Sequence, residues 1–506
     1  MNRLAPTTMM RTLFPLRRRT LAAAALAALT SALVAAPALA GTPGVDEPPV
    51  PGTPRPLEVP SYTEAQLPNG VRVVVAERHA LPLVSVALYL HLGSAADPDG
   101  RAGLAGLAND LRSQGATVAG KRLSASQIAQ QAEALGSSLS SATDWRGSAL
   151  TMTVATPKLA EAARLIVDST LYPTLAPDEL DRLKQQAADG LKLSLSDPMA
   201  LAGLTARRAW WGSSVFGGSV TPASLARITR KDVQDFTRLQ LRPELATLVV
   251  TGDVTLEQAK ALATQLLGSW KGNRMALPKP RSEAAEAQTP STVLINLPGA
   301  GQSGVVVMAP AVPYDSPDRR VAQVAGAVLG GGYSARLNQE VRIKRGLSYG
   351  AGAGLDFQPV GGVLSARTQT NNATAGQVVQ LMRDEIVRMG QELPADDELE
   401  ARKAALVGSY GRQVETTAGL AAVALDLIGR DRPLSDAQTH VPEIQAVTAV
   451  QVRDYAAKQW SPMALRTVVV GDMAKSAEGL KPVADKPLTL DAKDLDLESP
   501  TLMKAR

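Results

Sequence analysis

The stretch LPNGVRVVVAERHALPLVSVALYLHLGSAADPDGRAGLAGLANDL, residues 67–111, changes its periodicity twice and so sets the fold class. Residues 71–76 and 83–92 are apolar and rich in valine, which predicts two strands separated by a turn, and residues 101–113 space their apolar positions as a helix does. Further along, 150–154 alternates like a strand, 156–170 and 177–195 read as helices, and 246–251 is a buried-type strand. The stretch 464–470 has the same character as 246–251. Strands and helices come in blocks without regular βαβ alternation. This predicts an α+β architecture in which an antiparallel-rich sheet packs against helices.

The chain then matches itself at a constant offset of 219 residues. Pro98-Asp99 and Arg101 return as Pro317-Asp318 and Arg320, and Asp178-Glu179-Leu180 with Lys184 as Asp397-Glu398-Leu399 with Lys403. Thr229, Asp235, Pro243, Val249-Val250 and Gly252-Asp253 return as Thr448, Asp454, Pro462, Val468-Val469 and Gly471-Asp472. One offset held over this length implies two homologous halves, roughly 55–272 and 292–485, joined by a proline- and charge-rich linker at 273–291. The expected domains are a signal peptide at 1–40, a first half at 41–272 and a second half at 292–506. The tail from 474 onward reads as surface wrapping.

With 45% hydrophobic and 20% charged residues and no cysteine, the composition is globular and excludes a disordered, collagenous or disulfide-scaffold chain. The formal charge of +5 is a property of the leader: residues 1–40 contain five arginines and no acid, and without them the 53 basic residues fall level with the 48 acidic ones. No electrostatic footprint for nucleic acid remains. The basic start, the apolar run 21–36 and Ala38-Leu39-Ala40 before Gly41 have the form of an export signal cleaved after Ala40. Nothing later supplies about 20 uninterrupted apolar residues, so no permanent membrane span is expected after cleavage and the periplasm is the expected location.

Taken together, residues 67–111 and the stretch VLGGGYSARLNQEVRIKRGLSYGAGAG at 328–354 resemble the pitrilysin/insulinase peptidases, the inverzincins. The resemblance implies two repeat halves that form half of a clamshell chamber. It also implies a zinc motif H-x-x-E-H on the first helix, with two histidines as ligands and the glutamate activating water. Here those positions are Gly106, Asn109 and Asp110, and the third ligand position falls at Gly190, beside Asp189. A missing side chain, an amide and one lone carboxylate cannot reproduce that set. The only histidines are His79, His91 and His440, none four residues from another, and they read as surface or strand-edge residues. No metal is therefore expected in this chain.

The second half keeps more of the family pattern. Arg342 and Tyr349 have the spacing of the family's Arg/Tyr pair, which implies hydrogen bonding to the developing oxyanion of a scissile carbonyl. Gly330, Gly331 and Gly332 resemble the glycine-rich segment of noncatalytic members and imply close approach of a peptide. In the first half, Ser140 and Thr143 fall on the strand to which a substrate would add by β-augmentation. Trp210-Trp211 cannot both face one way and receive no role.

Three functions follow. The first is a noncatalytic, substrate-binding subunit of an exported zinc metallopeptidase, which lends Arg342 and Tyr349 to a homologous zinc-bearing partner and acts on a peptide or unfolded protein. The second is a structural or peptide-binding scaffold without a role in proteolysis. The third is an active metallopeptidase with an unorthodox metal site around Asp110 and Asp189.

Overall fold

The computed structural model describes residues 57–278 and 287–504. The expected signal peptide and the centre of the expected linker lie outside the described residues. The first half contains β1 (Tyr62–Gln66), β2 (Arg72–Glu77), β3 (Leu83–Leu90), a small ribbon of β4 (Gly115–Val118) and β5 (Lys121–Ser124), then β6 (Ser140–Thr143), β7 (Ser148–Ala155) and β8 (Ala246–Gly252). Six of these form one sheet in the order β1-β2-β8-β3-β7-β6. The second half contains β9 (Thr292–Asn296), β10 (Gln302–Ala311), β11 (Ala351–Gln358), β12 (Gly361–Asn371), β13 (Arg466–Gly471) and β14 (Leu488–Asp491), in the order β11-β12-β10-β13-β9-β14. Read backwards, the second order repeats the first, with β9, β10, β12 and β13 in the places of β2, β3, β7 and β8. Pairing is antiparallel except at β2–β8, β9–β13 and β9–β14. The fold is α+β in two homologous halves.

The recurring sequence fragments are local folding instructions used twice. Thr229 and Thr448 are the N-caps of the helices Arg230–Gln240 and Ala449–Gln459, each closing a capping box with the residue three positions on. Asp178-Glu179 and Asp397-Glu398 place negative charge in the first turns of the helices Pro177–Ser196 and Asp396–Val414, where the helix dipole favours it. Pro243 and Pro462 open the short turns that lead into β8 and β13.

The central strands are apolar along their whole length because both faces of each sheet are covered. Every residue of β8 is buried. On one face of the first sheet, Val73, Val75, Val86 and Val250 pack against Ala162 and Ile166 of the helix Leu159–Leu171. On the other face, Val74, Ala87 and Val249 receive Leu420, Ala424 and Leu427 of the helix Thr417–Gly429, which belongs to the second half. The reverse exchange also occurs: Leu201, Ala202 and Ala206 of the first half's helix Pro198–Trp211 pack against Val306, Met308, Val468 and Val470 of the second sheet. Each fully buried leucine contributes about 1.5–3 kcal/mol. The two crossing helices are themselves related by the 219-residue offset.

Some expectations are corrected. The helix expected at 101–113 begins only at Leu104, because Gly103 has φ +101° and the Asp97 carboxylate accepts the N–H groups of Gly103 and Ala105, both at 2.8 Å. The tail does more than wrap the surface. It adds β14 in parallel to β9, and then buries Leu497 and Leu502 beside the helix Pro198–Trp211. Hydrophobic residues spaced too widely to show a period in the sequence were sufficient to anchor it. Of the tryptophan pair, Trp211 is buried and Trp210 is half-buried.

Candidate functional site

The helix Leu104–Arg112 carries the positions of the zinc motif, and its side chains are committed to the fold. Asn109 is buried and donates from Nδ2 to Ala142 O at 3.0 Å and Ala149 O at 3.1 Å, which are opposite residues of the β6–β7 ladder. Asp110 accepts a 2.5 Å hydrogen bond from Ser141 Oγ; burial raises its pKa and the Ser141 bond opposes the rise. Arg112, fully buried and without a carboxylate partner among the described residues, donates to Gln240 Oε1 at 2.8 Å, and desolvation lowers its pKa to about 10. Gly106 faces open space and lines a cavity of about 710 Å³ together with Thr143. Asp189 and Gly190 are exposed, and Asp189 accepts from Gln185. This donor set does not fit zinc: Asn109 presents its N–H groups to carbonyls, and Asp110 stands without a second ligand. Among the described residues no three His, Cys, Asp or Glu side chains converge on a metal-sized site.

The histidines are scattered. His79 is exposed and bonds Asp253 at 2.8 Å, His91 is half-buried on the strand side of Tyr89, and His440 stacks on Tyr410 at 4.1 Å. His440 departs from the surface or strand-edge expectation, since it sits half-buried on the helix Asp436–Gln445.

At the opposite edge of the first sheet from β1, β6 forms the outermost strand, paired only with β7. Ser140 is exposed there, whereas the Thr143 hydroxyl turns inward to Ser148 Oγ at 3.2 Å.

In the second half, the helix Arg319–Gly330 runs into the glycine turn. Gly330 is buried against β11, where a Cβ would lie 2.2 Å from Ala353 N, and Gly332 has φ +147°. Packing and backbone conformation thus account for both, while Gly331 and Gly332 are the exposed members. Beyond the turn, Arg336 makes a two-pronged ion pair with Glu398 at 3.0 and 2.8 Å, and Asn338 bridges Tyr333 O and Ala351 N. The helix then widens into one π-turn at Gln339–Ile343, closed by Lys344 N on Gln339 O, a feature often found at functional positions. The buried Glu340, paired with Lys344 and Arg345, holds the inner side of this turn.

Arg342 projects from that π-turn, and Gly346, with φ +63°, reverses the chain so that Tyr349 returns over it. The Arg342 guanidinium lies 4.8 Å from the Tyr349 ring centre and 4.9 Å from that of Tyr333. Tyr349 is 91% exposed and Tyr333 65%. Among the described residues no carboxylate lies within 4 Å of Arg342, and neither its guanidinium nor the Tyr349 hydroxyl makes a hydrogen bond. The structure brings together the two residues that the family resemblance singled out and adds a third, Tyr333. Tyr333 lies nine residues before Arg342, a separation that marks contact in no regular element.

Residues 72–198 match the family model described as Insulinase (Peptidase family M16), and residues 227–406 match that described as Peptidase M16 inactive domain. With the fold and the vacated zinc motif described above, this places the chain among the M16 peptidase homologues of noncatalytic type. The chain belongs to the insulinase family. It is 25% identical over 359 residues to "Uncharacterized zinc protease ML0855" of Mycobacterium leprae, covering 68% of this chain and 76% of that one. It is 24% identical to "Non-peptidase homolog YmxG" of Helicobacter pylori, covering 76% of this chain and 88% of that one. The crystal structure of a peptidase M16 inactive domain from Pseudomonas fluorescens superposes with a TM-score of 0.73 at 24% identity, over 81% of this chain and 98% of that one. No helix among the described residues is long and apolar enough to cross a membrane.

Proposed function

We propose that this chain is the noncatalytic, substrate-binding subunit of an exported, periplasmic zinc metallopeptidase. It holds no cofactor of its own, and the zinc resides in a homologous partner subunit that closes against it over a peptide or unfolded protein. Arg342 and Tyr349 reach the scissile carbonyl from the wall opposite the zinc and donate hydrogen bonds to the oxyanion as it forms. Ser140, Thr143 and the exposed glycines Gly331 and Gly332 guide the extended substrate. The observation that carries this reading is a half-buried guanidinium without an acidic partner among the described residues, held between two exposed tyrosines on a π-turn. A side chain kept for stability alone has no reason to stand so.

The test is to mix the purified chain with a zinc-bearing homologue from the same organism and follow hydrolysis of unfolded peptides. Activity is expected only in the mixture. Arg342→Ala and Tyr349→Phe are each expected to lower kcat by about 10²-fold or more with a smaller effect on KM. Unchanged turnover in both variants would leave the scaffold reading in its place.

A further inference from the structure

An open cavity of about 440 Å³ lies within the second half, lined by the helices Arg319–Gly330, Asp396–Val414, Thr417–Gly429 and Asp436–Gln445 and by β11. It borders the proposed substrate path at Gly331 but includes none of Arg342, Tyr349 and Tyr333. Three arginines, Arg319, Arg320 and Arg430, and two carboxylates, Asp426 and Asp436, line it, and the pairing with these and the neighbouring Arg432 and Glu443 is uneven. Arg320 bonds Glu443 at 2.7 Å, Arg430 bonds Asp426 at 2.7 Å, and Arg432 takes one oxygen of Asp436 at 2.9 Å through both Nε and Nη2. Arg319 is left over. Among the described residues its guanidinium comes no closer than 3.9 Å to a carboxylate oxygen, that same Asp436 atom; it hydrogen-bonds with Tyr314 and lies 4.1 Å from the centre of that ring, which also carries Arg430 at 4.2 Å.

Arg319 is only 7% exposed. Beyond Tyr314 and one long carboxylate contact, this buried cation keeps guanidinium donors for an acidic partner, which would offset the cost of its burial. His440, beside it, adds no charge at neutral pH, because burial and then Arg320 and Arg319 push its pKa down to about 4. Its ring nitrogens make no hydrogen bond among the described residues, so one donor and one acceptor remain on offer. Leu355, Phe357, Leu406 and Val423 give the wall an apolar part, beside Gln323 and Gln413.

We infer that this cavity is a binding site for a monocarboxylate with an apolar body, the carboxylate on Arg319 and the body against Leu355, Leu406 and Val423. A planar guanidinium matches a carboxylate with two parallel hydrogen bonds, and the volume falls in the range of small-molecule sites. A phosphate dianion would bring two charges to a wall with one to spare. The same chemistry is presented by a free organic acid and by the C-terminus of a peptide.

Calorimetric titration of the purified chain with N-acetylleucine and with N-acetylleucinamide tests the site. The acid is expected to bind saturably and at least about ten-fold more tightly than the amide, the contribution of one charge-assisted contact. Arg319→Gln should remove that preference. Leu406→Trp should block binding while the circular dichroism of the chain stays unchanged, since Leu406 lines the cavity and is only half-buried. A hexapeptide ending in leucine, as free acid and as amide, separates the sources: tighter binding of the peptide acid than of N-acetylleucine assigns the site to peptide C-termini, and equal binding assigns it to small acids. Equal affinity for acid and amide, absence of saturable binding, or preference for inorganic phosphate would each overturn the inference.

Discussion

Ser85 and Gly304 stand at the same position in the two halves, and each is the point where the other half's crossing helix touches down. Ser85 Oγ lies 2.9 Å from Thr417 Oγ1, at the start of the helix Thr417–Gly429. A Cβ on Gly304 would lie 2.5 Å from Pro198 O, at the start of the helix Pro198–Trp211. One half makes the contact with a hydroxyl, the other with backbone, and only glycine permits the second.

Gly304→Ala should therefore loosen the junction between the halves. The added methyl meets backbone atoms, which cannot rotate away, so a loss of about 1–3 kcal/mol is expected in denaturant unfolding. Ser85→Ala, which removes only a hydroxyl contact, should cost about 1 kcal/mol. An alanine at 304 as stable as the parent would show that the crossing helix can shift freely.

Asn109 no longer has a chemical task but has acquired a mechanical one. Asn109→Ala removes both donors to the β6–β7 carbonyls and leaves Arg112 with one acceptor fewer. The expected cost is about 2 kcal/mol, with faster amide hydrogen exchange confined to β6 and β7. Unchanged exchange there would remove the clamp from the account.

Leu502 is fully buried although it follows the last strand, β14, by eleven residues. Leu502→Ala should cost about 2–4 kcal/mol, whereas Met503→Ala, at a 46% exposed side chain, should be close to neutral. Equal thermal midpoints for the two variants would show that the tail is not part of the folded unit.

Asp97 gives a pH signature. Burial raises its pKa to about 6, against the opposing hydrogen bonds from Ala105, Gly103 and Leu104. The folded state thus holds this proton more tightly than the unfolded chain, where an aspartate titrates near 3.9. Its contribution to stability is complete below about pH 4 and is lost as pH rises through about 6. Relative to Asp97→Ala, the parent should lose up to about 2–3 kcal/mol between pH 4 and pH 7, read from paired unfolding curves. A difference that stays flat with pH would place the titration elsewhere.

The α+β class, the two halves and most strands were legible because each half uses the same local code twice. Thr229 and Thr448, or Pro243 and Pro462, mark caps and turns whose physics is confined to a few neighbouring residues. The Arg342–Tyr349 pair was legible through resemblance, since no period connects residues seven apart across a π-turn and a glycine reversal. Tyr333, the crossing of helices Pro198–Trp211 and Thr417–Gly429 onto opposite sheets, and the burial of Leu497 and Leu502 were not legible. Each is decided by contacts between segments far apart in the chain, where the sequence records only that a face is apolar and not what will cover it.

The crossing helices change what it means for this protein to have two halves. Each half lends a helix to its neighbour and leaves its own sheet bare on one side without the loan returned. The covalent connection at 273–291 is then the weaker of two couplings: a single cut there would yield two fragments still clasped around each other, whereas neither fragment made alone would have a complete core. The sequence repeats, but the unit that folds is the pair.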